Sequence, residues 1–503
     1  MKKISDIISF LNPVSVQGAE AEDRYANSLQ HDSRLAGKDD LFIAVKGFTT
    51  DGHKYISQVV DNGVSVVVAQ KDLAGKLPES KNVTYILLND TREAWSPLAL
   101  FMADDPQKKL KIAAITGTNG KTTVSTLVHQ ALSSIGYKTG LLGTISRMAG
   151  EKSFESRLTT GDATGVAADL KMMADEGCTH VVMEASSHAL DQKRISGLDI
   201  SAAAFTNLSH DHLDYHKSME AYATAKKILF DGLNPEAVAI INADDQFAEF
   251  MVSDTHAQVW KFGMNEGLEI ISNDANGLVI SVDDQIIQSS MIGEFNARNL
   301  AAAYLICRSF GVSASTAATA LGECAGAKGR MERVADENLP DVKQPAVIVD
   351  YAHTPDALEN VSQTLFGIKG DGKLIVTFGC GGDRDRKKRP EMAKVAERYA
   401  DMIIVTSDNP RTENPEDIIG DIMEGFDDSE EVLVYPERER AIRQAVLKAA
   451  VKDIVLIAGK GHETYQEIDG VRHHFDDCEV ALAALKKRNS GTSIQTSDQM
   501  EAR

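Results

Sequence analysis

A glycine-rich turn beside a lysine carries the clearest chemistry in the sequence. The stretch "KIAAITGTNGKTTVSTLVHQAL" is typical of an apolar strand, a turn and a helix. Gly117 and Gly120 let backbone N–H groups approach an anion, Lys121 adds a positive charge, and the hydroxyl of Thr122 can bind Mg²⁺. Ile115 stands where the usual phosphate loop has its first glycine. A structural glycine turn is the alternative, but the flanking strand and helix favour nucleotide phosphate binding.

Two further apolar runs end in side chains that suit a cation. Glu184 follows "HVVM", and His212 lies in "NLSHDHLDYH" directly after another apolar run. A lone histidine is more often structural than a ligand. The clustering of carboxylate and imidazole groups in "HDHLD" leaves a metal or phosphate role open beside the structural one.

Lys226 lies within the apolar stripe of a predicted helix, "KSMEAYATAKKILFDGL". On a helical wheel the stripe includes Tyr222, Leu229 and Phe230, whereas Lys227 falls outside it. One interpretation is a lysine that extends its amine to the helix edge. The other is a buried lysine whose pKa is low enough for the neutral amine to react.

Three loops in the last third of the chain combine acidic and basic residues. They are "GCGGDRDRKKRP", "TSDNPRTENP" and "AGKGHETYQ", and each follows an apolar run. Basic side chains suit a carboxylate and acidic ones suit an ammonium, so this set fits a zwitterion; ion pairs between the loops are the alternative. The candidate residues are Arg384, Asp408, Asn409, Pro410, Arg411, Gly459 and Glu463.

The elements that must position these groups follow an α/β pattern. Short β-branched runs alternate with helical stretches, which predicts parallel sheets that bind ligands at the carboxyl ends of their strands. The runs fall into three predicted domains, residues 1–108, 109–328 and 329–488, followed by a polar tail at 489–503 that we expect to be disordered.

Composition narrows the classes of function. The 503 residues carry a net charge of −21, which argues against nucleic acid as a general partner. No segment approaches the ~18 uninterrupted apolar residues of a membrane span, and the N-terminus is a poor signal peptide, so we expect a cytoplasmic protein without a membrane partner. The five cysteines are scattered without metal-ligand spacing, which indicates reduced, structural thiols.

The stretch "TGTNGKTT" resembles the signature of the Mur ligase superfamily of ATP-dependent amide ligases, which includes the folylpolyglutamate synthases. The resemblance extends in order over nearly the whole chain. It implies an α/β protein of three domains: a small N-terminal UDP-binding domain, a central P-loop-type ATPase domain with a parallel sheet, and a C-terminal Rossmann-like domain. It also implies a cytoplasmic enzyme, and we expect a monomer.

The resemblance assigns an ATP and Mg²⁺ site. Lys226 matches the lysine that CO₂ carbamylates in this family, and the catalytic set is then Lys121, Glu184, His212 and Lys226. Metal ligands implied are Thr122, Glu184, His212 and the carbamate on Lys226. ATP contacts implied are Gly117, Thr118, Asn119, Gly120, Lys121, Thr122, Thr123, Asn296, Asn299, Arg330, Asp350 and His353. On spacing alone, Asn296 and Asn299 would be helix-capping residues, and Phe295 departs from the histidine common in the family.

The resemblance also assigns the two other substrates, a UDP-muramoyl-dipeptide and meso-2,6-diaminopimelate. Contacts implied for the UDP-muramoyl-dipeptide are His31, Ser33, Phe48, Thr49, Thr50, Thr159, Thr160, Ser186, Gln192 and Arg194. In this family the tetrapeptide Asp-Asn-Pro-Arg accompanies diaminopimelate. Arginine suits the distal carboxylate of diaminopimelate and repels the ammonium of lysine, so we expect Arg411 to bind that carboxylate.

The expected reaction is phosphorylation of the D-glutamate γ-carboxylate by ATP, followed by attack of the diaminopimelate amine. No residue is assigned as general base. Alternatives are a ligase for lysine or another amino acid, a folylpolyglutamate synthase, a P-loop hydrolase coupled to motion, and a degenerate nucleotide-binding scaffold. "HDSR" and Asp-Asn-Pro-Arg argue against the folate enzyme, and the intact catalytic set argues against the scaffold.

Overall fold

The computed structural model describes residues 1–21, 23–47, 50–155, 158–340 and 343–489. The chain divides into two compact units, Met1–Glu266 with Ala302–Ser313, and Gly267–Ala301 with Ala314–Arg503. The predicted tail therefore lies outside the described residues except for Asn489, which ends a helix. The three domain boundaries expected from the sequence remain predictions, because the division into units follows other limits.

The first unit begins with a small α/β sheet. Its elements are β1 (Lys2–Lys3), α1 (Ile4–Leu11), β2 (Ser15–Gly18), β3 (Tyr25–Ala26), β4 (Leu29–Gln30), β5 (Leu41–Ile43), α2 (Ile56–Asp61), β6 (Val66–Gln70), β7 (Thr84–Leu88) and α3 (Thr91–Met102). The sheet order is β2-β7-β6-β5-β4, and only the β2–β7 pair among these is antiparallel. The continuous apolar runs of β6 and β7 are buried, as expected for parallel strands covered on both faces.

A larger sheet follows in the same unit. Its elements are β8 (Lys111–Thr116), α4 (Lys121–Ser134), β9 (Thr139–Leu142), β10 (Ser146–Ala149), β11 (Lys152–Glu155), α5 (Ala163–Asp175), β12 (His180–Glu184), α6 (Ser187–Asp191), β13 (Ile200–Phe205), α7 (Leu213–His216), α8 (Met219–Asp231), β14 (Val238–Asn242), α9 (Ala248–Val252) and β15 (Gln258–Phe262). The order is β11-β10-β9-β12-β8-β13-β14-β15, parallel from β9 to β15. Strand β8 lies between β12 and β13, so their carboxyl ends meet.

One apolar core joins the two sheets of the first unit. It contains Ile86 of β7, Leu98 of α3, Ile112 of β8 and Val181 of β12, all of them fully buried. Apolar area removed from water is the main favourable term in folding. A shared core therefore explains why the N-terminal sheet and the larger sheet form one compact unit.

The second unit adds a three-stranded antiparallel sheet and a six-stranded sheet. Its elements are β16 (Leu268–Asp274), β17 (Gly277–Val282), β18 (Gln285–Ser289), α10 (Glu294–Ser309, whose last turns belong to the first unit), α11 (Ala314–Gly322), β19 (Glu332–Val334), β20 (Ala346–Asp350), α12 (Pro355–Ile368), β21 (Leu374–Phe378), α13 (Lys388–Tyr399), β22 (Met402–Val405), α14 (Pro415–Met423), β23 (Leu433–Val434), α15 (Arg438–Lys448), β24 (Ile454–Ala458), β25 (Tyr465–Ile468), β26 (Val471–His474) and α16 (Asp477–Asn489). The larger order is β19-β20-β24-β21-β22-β23, parallel except for β19.

Side chains of the six-stranded sheet alternate between two cores. Ile348 and Leu456 pack in one core with residues of α12, α13 and α14, whereas Val347 and Val455 pack in the other with residues of α15 and α16. Period-2 alternation with helices on both faces is the doubly wound arrangement. The predicted α/β class with parallel sheets is confirmed. Among the described helices, none has the length and apolar character needed to cross a bilayer.

Candidate active site

The glycine-rich turn has the geometry of a phosphate cradle. It connects β8 to the start of α4, and Gly120 precedes that helix with a left-handed φ of 88°. At Gly117, with φ of 150°, an added Cβ would lie 1.8 Å from the Thr206 Oγ1. The Lys121 amine folds back and donates to the carbonyl oxygens of Gly117 and Thr118, both at 2.9 Å. A lysine held at a helix N-terminus is suited to bind phosphate oxygens.

The end of β13 supports this turn. The N–H of Thr118 donates to the carbonyl oxygen of Asn207 at 2.8 Å, and the N–H of Asn119 donates to the Asn207 side chain at 3.0 Å. The hydroxyl of Thr206 donates to the carbonyl oxygen of Asn119 at 2.6 Å. The N–H groups of Thr118 and Asn119, two of the predicted ATP contacts, are thus used within the protein.

Glu184 is buried at the end of β12, beside Ile115 of β8. Its carboxylate accepts from the hydroxyl of Thr122 at 3.1 Å, and from the N–H and hydroxyl of Thr144 at 2.7 and 2.9 Å. A buried carboxylate needs such partners. Carboxylate and hydroxyl oxygens are also the hard donors that Mg²⁺ prefers, so Thr122 and Glu184 fit a magnesium site.

His212 lies apart from that pair. It is about half exposed, precedes α7 with a φ of 52°, and its ring centroid lies 5.0 Å from that of His188 and 6.2 Å from that of Tyr222. Within the part of the chain that the structure describes, no group of three or more His, Cys, Asp or Glu side chains is placed to hold a metal. Its role as a ligand remains a prediction.

Lys226 is buried in the first unit, with an exposed fraction of 1%. Its amine donates to the carbonyl oxygen of Gly117 at 2.8 Å and lies 4.4 Å from the ring centroid of Tyr222. Burial, aided by the nearby charge of Lys121, holds the pKa of Lys226 well below its ordinary value. The structure therefore favours the buried interpretation of this lysine over an amine at the helix edge.

Lys227 is also buried, which the helical wheel did not predict. Its amine donates to the carboxylates of Asp231 and Asp254 at 2.5 and 2.6 Å, and hydrogen bonds to these two carboxylates raise its pKa although burial opposes them. The adjacent lysines therefore differ in protonation chemistry: Lys227 is a structural cation and Lys226 an amine that deprotonates easily.

Residues expected at the muramoyl-dipeptide come together beside Glu184. Arg194 donates to the carbonyl oxygen of Thr160 at 3.1 Å and to the Gln192 side chain at 3.0 and 2.7 Å. The Thr160 hydroxyl donates to the Glu184 carbonyl oxygen and accepts from the N–H of Ser186. Thr159 and Thr160 line a cavity of about 410 Å³.

Three of the UDP contacts expected in the N-terminal domain, His31, Ser33 and Thr50, lie within the described residues. The ring centroids of His31 and Trp95 lie 4.6 Å apart, and the His31 Nε2 lies 3.9 Å from a carboxylate oxygen of Asp162. Ser33 is buried, and the Thr50 hydroxyl lies 3.3 Å from that of Tyr55. The predicted contacts Phe48 and Thr49 lie outside the described residues.

In the second unit, the asparagine pair is buried inside α10 and does not cap it. Asn299 donates to the side-chain oxygen of Asn296 at 3.0 Å, and Asn296 donates to the carbonyl oxygen of Ile292 at 2.8 Å. The hydrogen bond between the two side-chain amides therefore fixes their orientation.

Arg330, Asp350 and His353 lie near one another around Tyr351. The Arg330 guanidinium lies 4.8 Å from the Tyr351 ring centroid, and His353 Nδ1 lies 2.8 Å from the Tyr351 carbonyl oxygen. Asp350 accepts from the N–H of Met331 at 2.8 Å. Burial raises the pKa of Asp350 to about 6, although the charge of Arg330 opposes that shift.

Two loops hold Arg411 in a left-handed conformation with φ of 54°. Its N–H donates to the carbonyl oxygen of Glu467 at 3.0 Å, and its carbonyl oxygen accepts from the N–H of Asp469 at 2.7 Å. Its guanidinium donates to the carbonyl oxygen of Gly382 at 2.7 Å. The hairpin β25–β26 therefore fixes the backbone of Arg411, and the loop after β21 fixes its guanidinium.

Asp408, Asn409, Pro410, Gly459 and Glu463 gather at the ends of β22 and β24. Asn409 donates to the Glu463 carboxylate at 2.7 Å, and a Cβ at Gly459 would lie 2.6 Å from a carboxylate oxygen of Asp408. Arg384 is exposed on the neighbouring loop. The structure brings acidic and basic groups to one edge of the sheet. Ion pairs between the loops also form, as between Arg389 and Glu413, so the zwitterion interpretation stays a prediction.

Sequence reasoning missed several residues of these sites. Lys460 lies within the loop "AGKGHETYQ" but is not among the candidate residues, and Thr144 has no motif signal beyond its position near a strand end. The fully buried Arg389 binds Glu413 through two bonds of 3.0 and 2.8 Å and Asp421 at 2.7 Å. Arg389 lies 24 and 32 positions from its two partners, and a single sequence does not reveal such pairs.

Comparison with known proteins places all three blocks of the chain in one family. Residues 26–102 match the model "Mur ligase family, catalytic domain", residues 115–307 the "Mur ligase middle domain", and residues 329–461 the "Mur ligase, glutamate ligase domain".

Curated relatives resemble the chain over nearly its full length. A UDP-N-acetylmuramoyl-L-alanyl-D-glutamate--2,6-diaminopimelate ligase of Phocaeicola vulgatus is 40% identical over 487 residues, which cover 95% of this chain and 98% of that protein. A protein of the same name from Aquifex aeolicus is 41% identical, covering 90% and 92%. A solved structure of a ligase of this name has a TM-score of 0.72 at 33% identity, covering 97% of this chain and 99% of that one.

Proposed function

Because the chain belongs to the Mur ligase family, we propose that it joins meso-2,6-diaminopimelate to the D-glutamate of UDP-N-acetylmuramoyl-L-alanyl-D-glutamate, with conversion of ATP to ADP and phosphate. The reaction is a step of peptidoglycan precursor synthesis. The observation that carries the proposal is full-length similarity to ligases named for this reaction, with identities of about 40%. We also propose that the enzyme acts as a monomer in the cytoplasm.

The phosphate loop would hold and polarise ATP. The N-terminus of α4 and the amine of Lys121 supply positive charge where the transferred phosphoryl group gains negative charge. Thr122 and Glu184 would hold Mg²⁺, which supplies further neutralising charge when bound. Asn296, Asn299, Arg330, Asp350 and His353 are proposed as the remaining ATP contacts, and His212 as a metal ligand.

Chemistry at the muramoyl-dipeptide proceeds in two steps. An oxygen of the D-glutamate γ-carboxylate attacks the γ-phosphorus of ATP, and the bond to ADP breaks. The neutral amine of diaminopimelate then attacks the acyl carbon, the tetrahedral intermediate expels phosphate, and the amine loses a proton. Arg194, which donates to Gln192 and Thr160, is proposed to bind a substrate carboxylate. His31, Ser33, Thr50 and Ser186 are proposed contacts of the same substrate.

Arg411 is proposed to select the amino acid. A guanidinium pairs with the distal carboxylate of diaminopimelate and repels the terminal ammonium of lysine. Asp408 and Glu463 would bind an ammonium of the substrate and Arg384 a carboxylate, and Asn409, which donates to Glu463, would orient that carboxylate. The pinned backbone of Arg411 supports this assignment, because a recognition residue is most selective when its position is fixed.

Lys226 is proposed to react with CO₂. Its low pKa leaves a neutral amine, which can add to the carbon of CO₂ and lose a proton, so that the neutral amine becomes an anionic carbamate. That group would supply one more oxygen ligand for a cation. We expect a carbamate signal in ¹³C NMR of protein equilibrated with ¹³C-bicarbonate. The signal should disappear in Lys226→Met and persist in Lys227→Met; persistence in both variants would refute the assignment.

Phosphate release tests the proposed function. The assay contains ATP, Mg²⁺ and UDP-N-acetylmuramoyl-L-alanyl-D-glutamate, and each substrate is omitted in turn. We expect release only when the muramoyl-dipeptide and diaminopimelate are both present. Release without any amino acid would instead identify a hydrolase, and no release under any condition would favour a nucleotide-binding scaffold.

A further inference from the structure

Lys460 is fully buried at the amino-acid site and has no role in the proposed reaction. It follows Gly459 at the end of β24, and its side chain has an exposed fraction of 0%. A buried ammonium is costly unless neighbouring groups compensate its charge and accept its hydrogen bonds. The position of Lys460 therefore depends on the groups that surround it.

Three residues of the proposed diaminopimelate site surround this amine. It donates to the side-chain oxygen of Asn409 at 3.0 Å and to the Glu463 carboxylate at 3.3 Å, and it lies 3.9 Å from a carboxylate oxygen of Asp408. Asp408 and Asn409 follow β22, whereas Glu463 follows β24. Lys460 therefore links the two loops that carry the acidic part of the site.

The hydrogen bond from Lys460 fixes the orientation of the Asn409 amide. The side-chain oxygen of Asn409 also accepts from the N–H of Glu467 at 2.9 Å, so two donors hold it. The amide nitrogen is consequently directed to the Glu463 carboxylate, at 2.7 Å. Without the lysine, one donor would be lost, and the carboxylates of Asp408 and Glu463 would lack the cation between them.

We propose that Lys460 is a positioning residue of the amino-acid site, which holds Asn409 and, through it, the Glu463 carboxylate in the orientation that binds the ammonium of the incoming amino acid. The inference rests on the proposed function. Since its side chain is fully buried, Lys460 acts through these neighbours and does not touch the substrate. Burial lowers the pKa of Lys460 while the charge of Asp408 opposes that shift, which agrees with an amine enclosed by carboxylates.

Steady-state kinetics of Lys460→Met tests this role. We expect the KM for diaminopimelate to rise about 10- to 100-fold, the range for loss of hydrogen bonds to charged groups. The KM for ATP should stay within about twofold, because the hydrogen bonds of the Lys460 amine go to Asn409 and Glu463 of the amino-acid site. Lys448→Met, which changes an exposed lysine of α15, should leave both constants unchanged. An unchanged KM for diaminopimelate in Lys460→Met would overturn the proposal.

A double-mutant cycle separates positioning from general destabilisation. If Lys460 acts through Asn409, adding Lys460→Met to Asn409→Ala should raise the KM much less than it does in the wild type. Equal effects in the two backgrounds would show that the lysine acts elsewhere. Lys460→Gln keeps a donor for Asn409 and should recover part of the lost affinity; it also replaces the methionine variant in every comparison if that variant does not fold.

The two proposals fail in different ways. If wild-type protein releases phosphate with lysine and not with diaminopimelate, the assignment of the substrate is wrong, and the same variants are then measured with lysine. If the wild type uses diaminopimelate but Lys460→Met leaves its KM unchanged, only the positioning role is wrong.

Discussion

At the scale of single residues, Arg411 should decide affinity for diaminopimelate. Arg411→Ala should raise the KM for diaminopimelate about 100-fold, since truncating one partner of a hydrogen-bonded charge pair costs about 2–5 kcal/mol. Alanine, like arginine, carries a Cβ and meets the same energetic cost in the left-handed conformation. The substitution therefore tests the side chain beyond Cβ, including the guanidinium. Arg398→Ala, which breaks an exposed ion pair with Glu359, is the matched control. Wild-type KM in Arg411→Ala would refute the assignment.

Residue chemistry could be predicted from the sequence where one helix or one turn decides it. The wheel placed Lys226 among apolar residues of its own helix, and the structure buries it there. Lys227 was missed because one of its partners, Asp254, lies 27 positions away, in the turn after α9. Long-range ion pairs of this kind compensate buried charge without leaving a periodic signal.

At the scale of elements, the turn between β8 and α4 should not tolerate a side chain at Gly117. Gly117→Ala forces a Cβ to 1.8 Å from the Thr206 hydroxyl, so we expect loss of ATP binding and a destabilisation of about 1–3 kcal/mol. Titration of ATP binding and thermal unfolding measure the two effects.

Gly177→Ala supplies the control for that variant. Gly177 has a φ of 83° with nothing within 4 Å of an added Cβ, so its substitution costs only backbone strain, about 1–2 kcal/mol. ATP binding should remain at the wild-type level. If Gly117→Ala also binds ATP normally, the turn is not the phosphate cradle.

His180, the first residue of β12, should make the fold sensitive to acid. Its ring packs against Tyr137 and Phe310, and burial lowers its pKa to about 4. Because the folded-state pKa lies below the unfolded value of about 6.5, its contribution to stability is present above pH 6.5 and is lost as the pH falls towards 4. Complete loss of this contribution lowers the free energy of unfolding by about 3 kcal/mol.

Denaturant unfolding at pH 8 and pH 4.5 measures that contribution. His180→Phe should lose less stability between the two pH values than the wild type does, by about 2–3 kcal/mol. His473→Phe changes an exposed histidine and should behave like the wild type. An equal loss in His180→Phe and the wild type would contradict the proposed cause.

Parallel strands were the most predictable elements, because buried on both faces they appear as continuous apolar runs. The runs "KIAAIT" and "AVIVD" are β8 and β20. The hairpin β25–β26 was missed, although Asp469-Gly470 between its strands is a typical hairpin turn. Its pairing with Arg411 joins segments 56 or more positions apart, which no local pattern indicates.

At the scale of the whole molecule, the sequence predicted three α/β blocks, and the structure contains parallel sheets in each of them. The family matches cover residues 26–102, 115–307 and 329–461, in the predicted order. Division into two compact units was not predicted, because it depends on the core that Leu98 of α3 shares with Ile112 of β8. Side-chain packing between sheets is decided by tertiary contacts and not by periodicity.

The identity of the ligated amino acid is the most direct test of the account. Wild-type protein would receive ATP, Mg²⁺, UDP-N-acetylmuramoyl-L-alanyl-D-glutamate and equal concentrations of meso-diaminopimelate and L-lysine, and the products would be identified by mass spectrometry. The account predicts that the diaminopimelate product exceeds the lysine product by at least about 100-fold, the discrimination expected from one hydrogen-bonded charge pair. A predominant lysine product would contradict it.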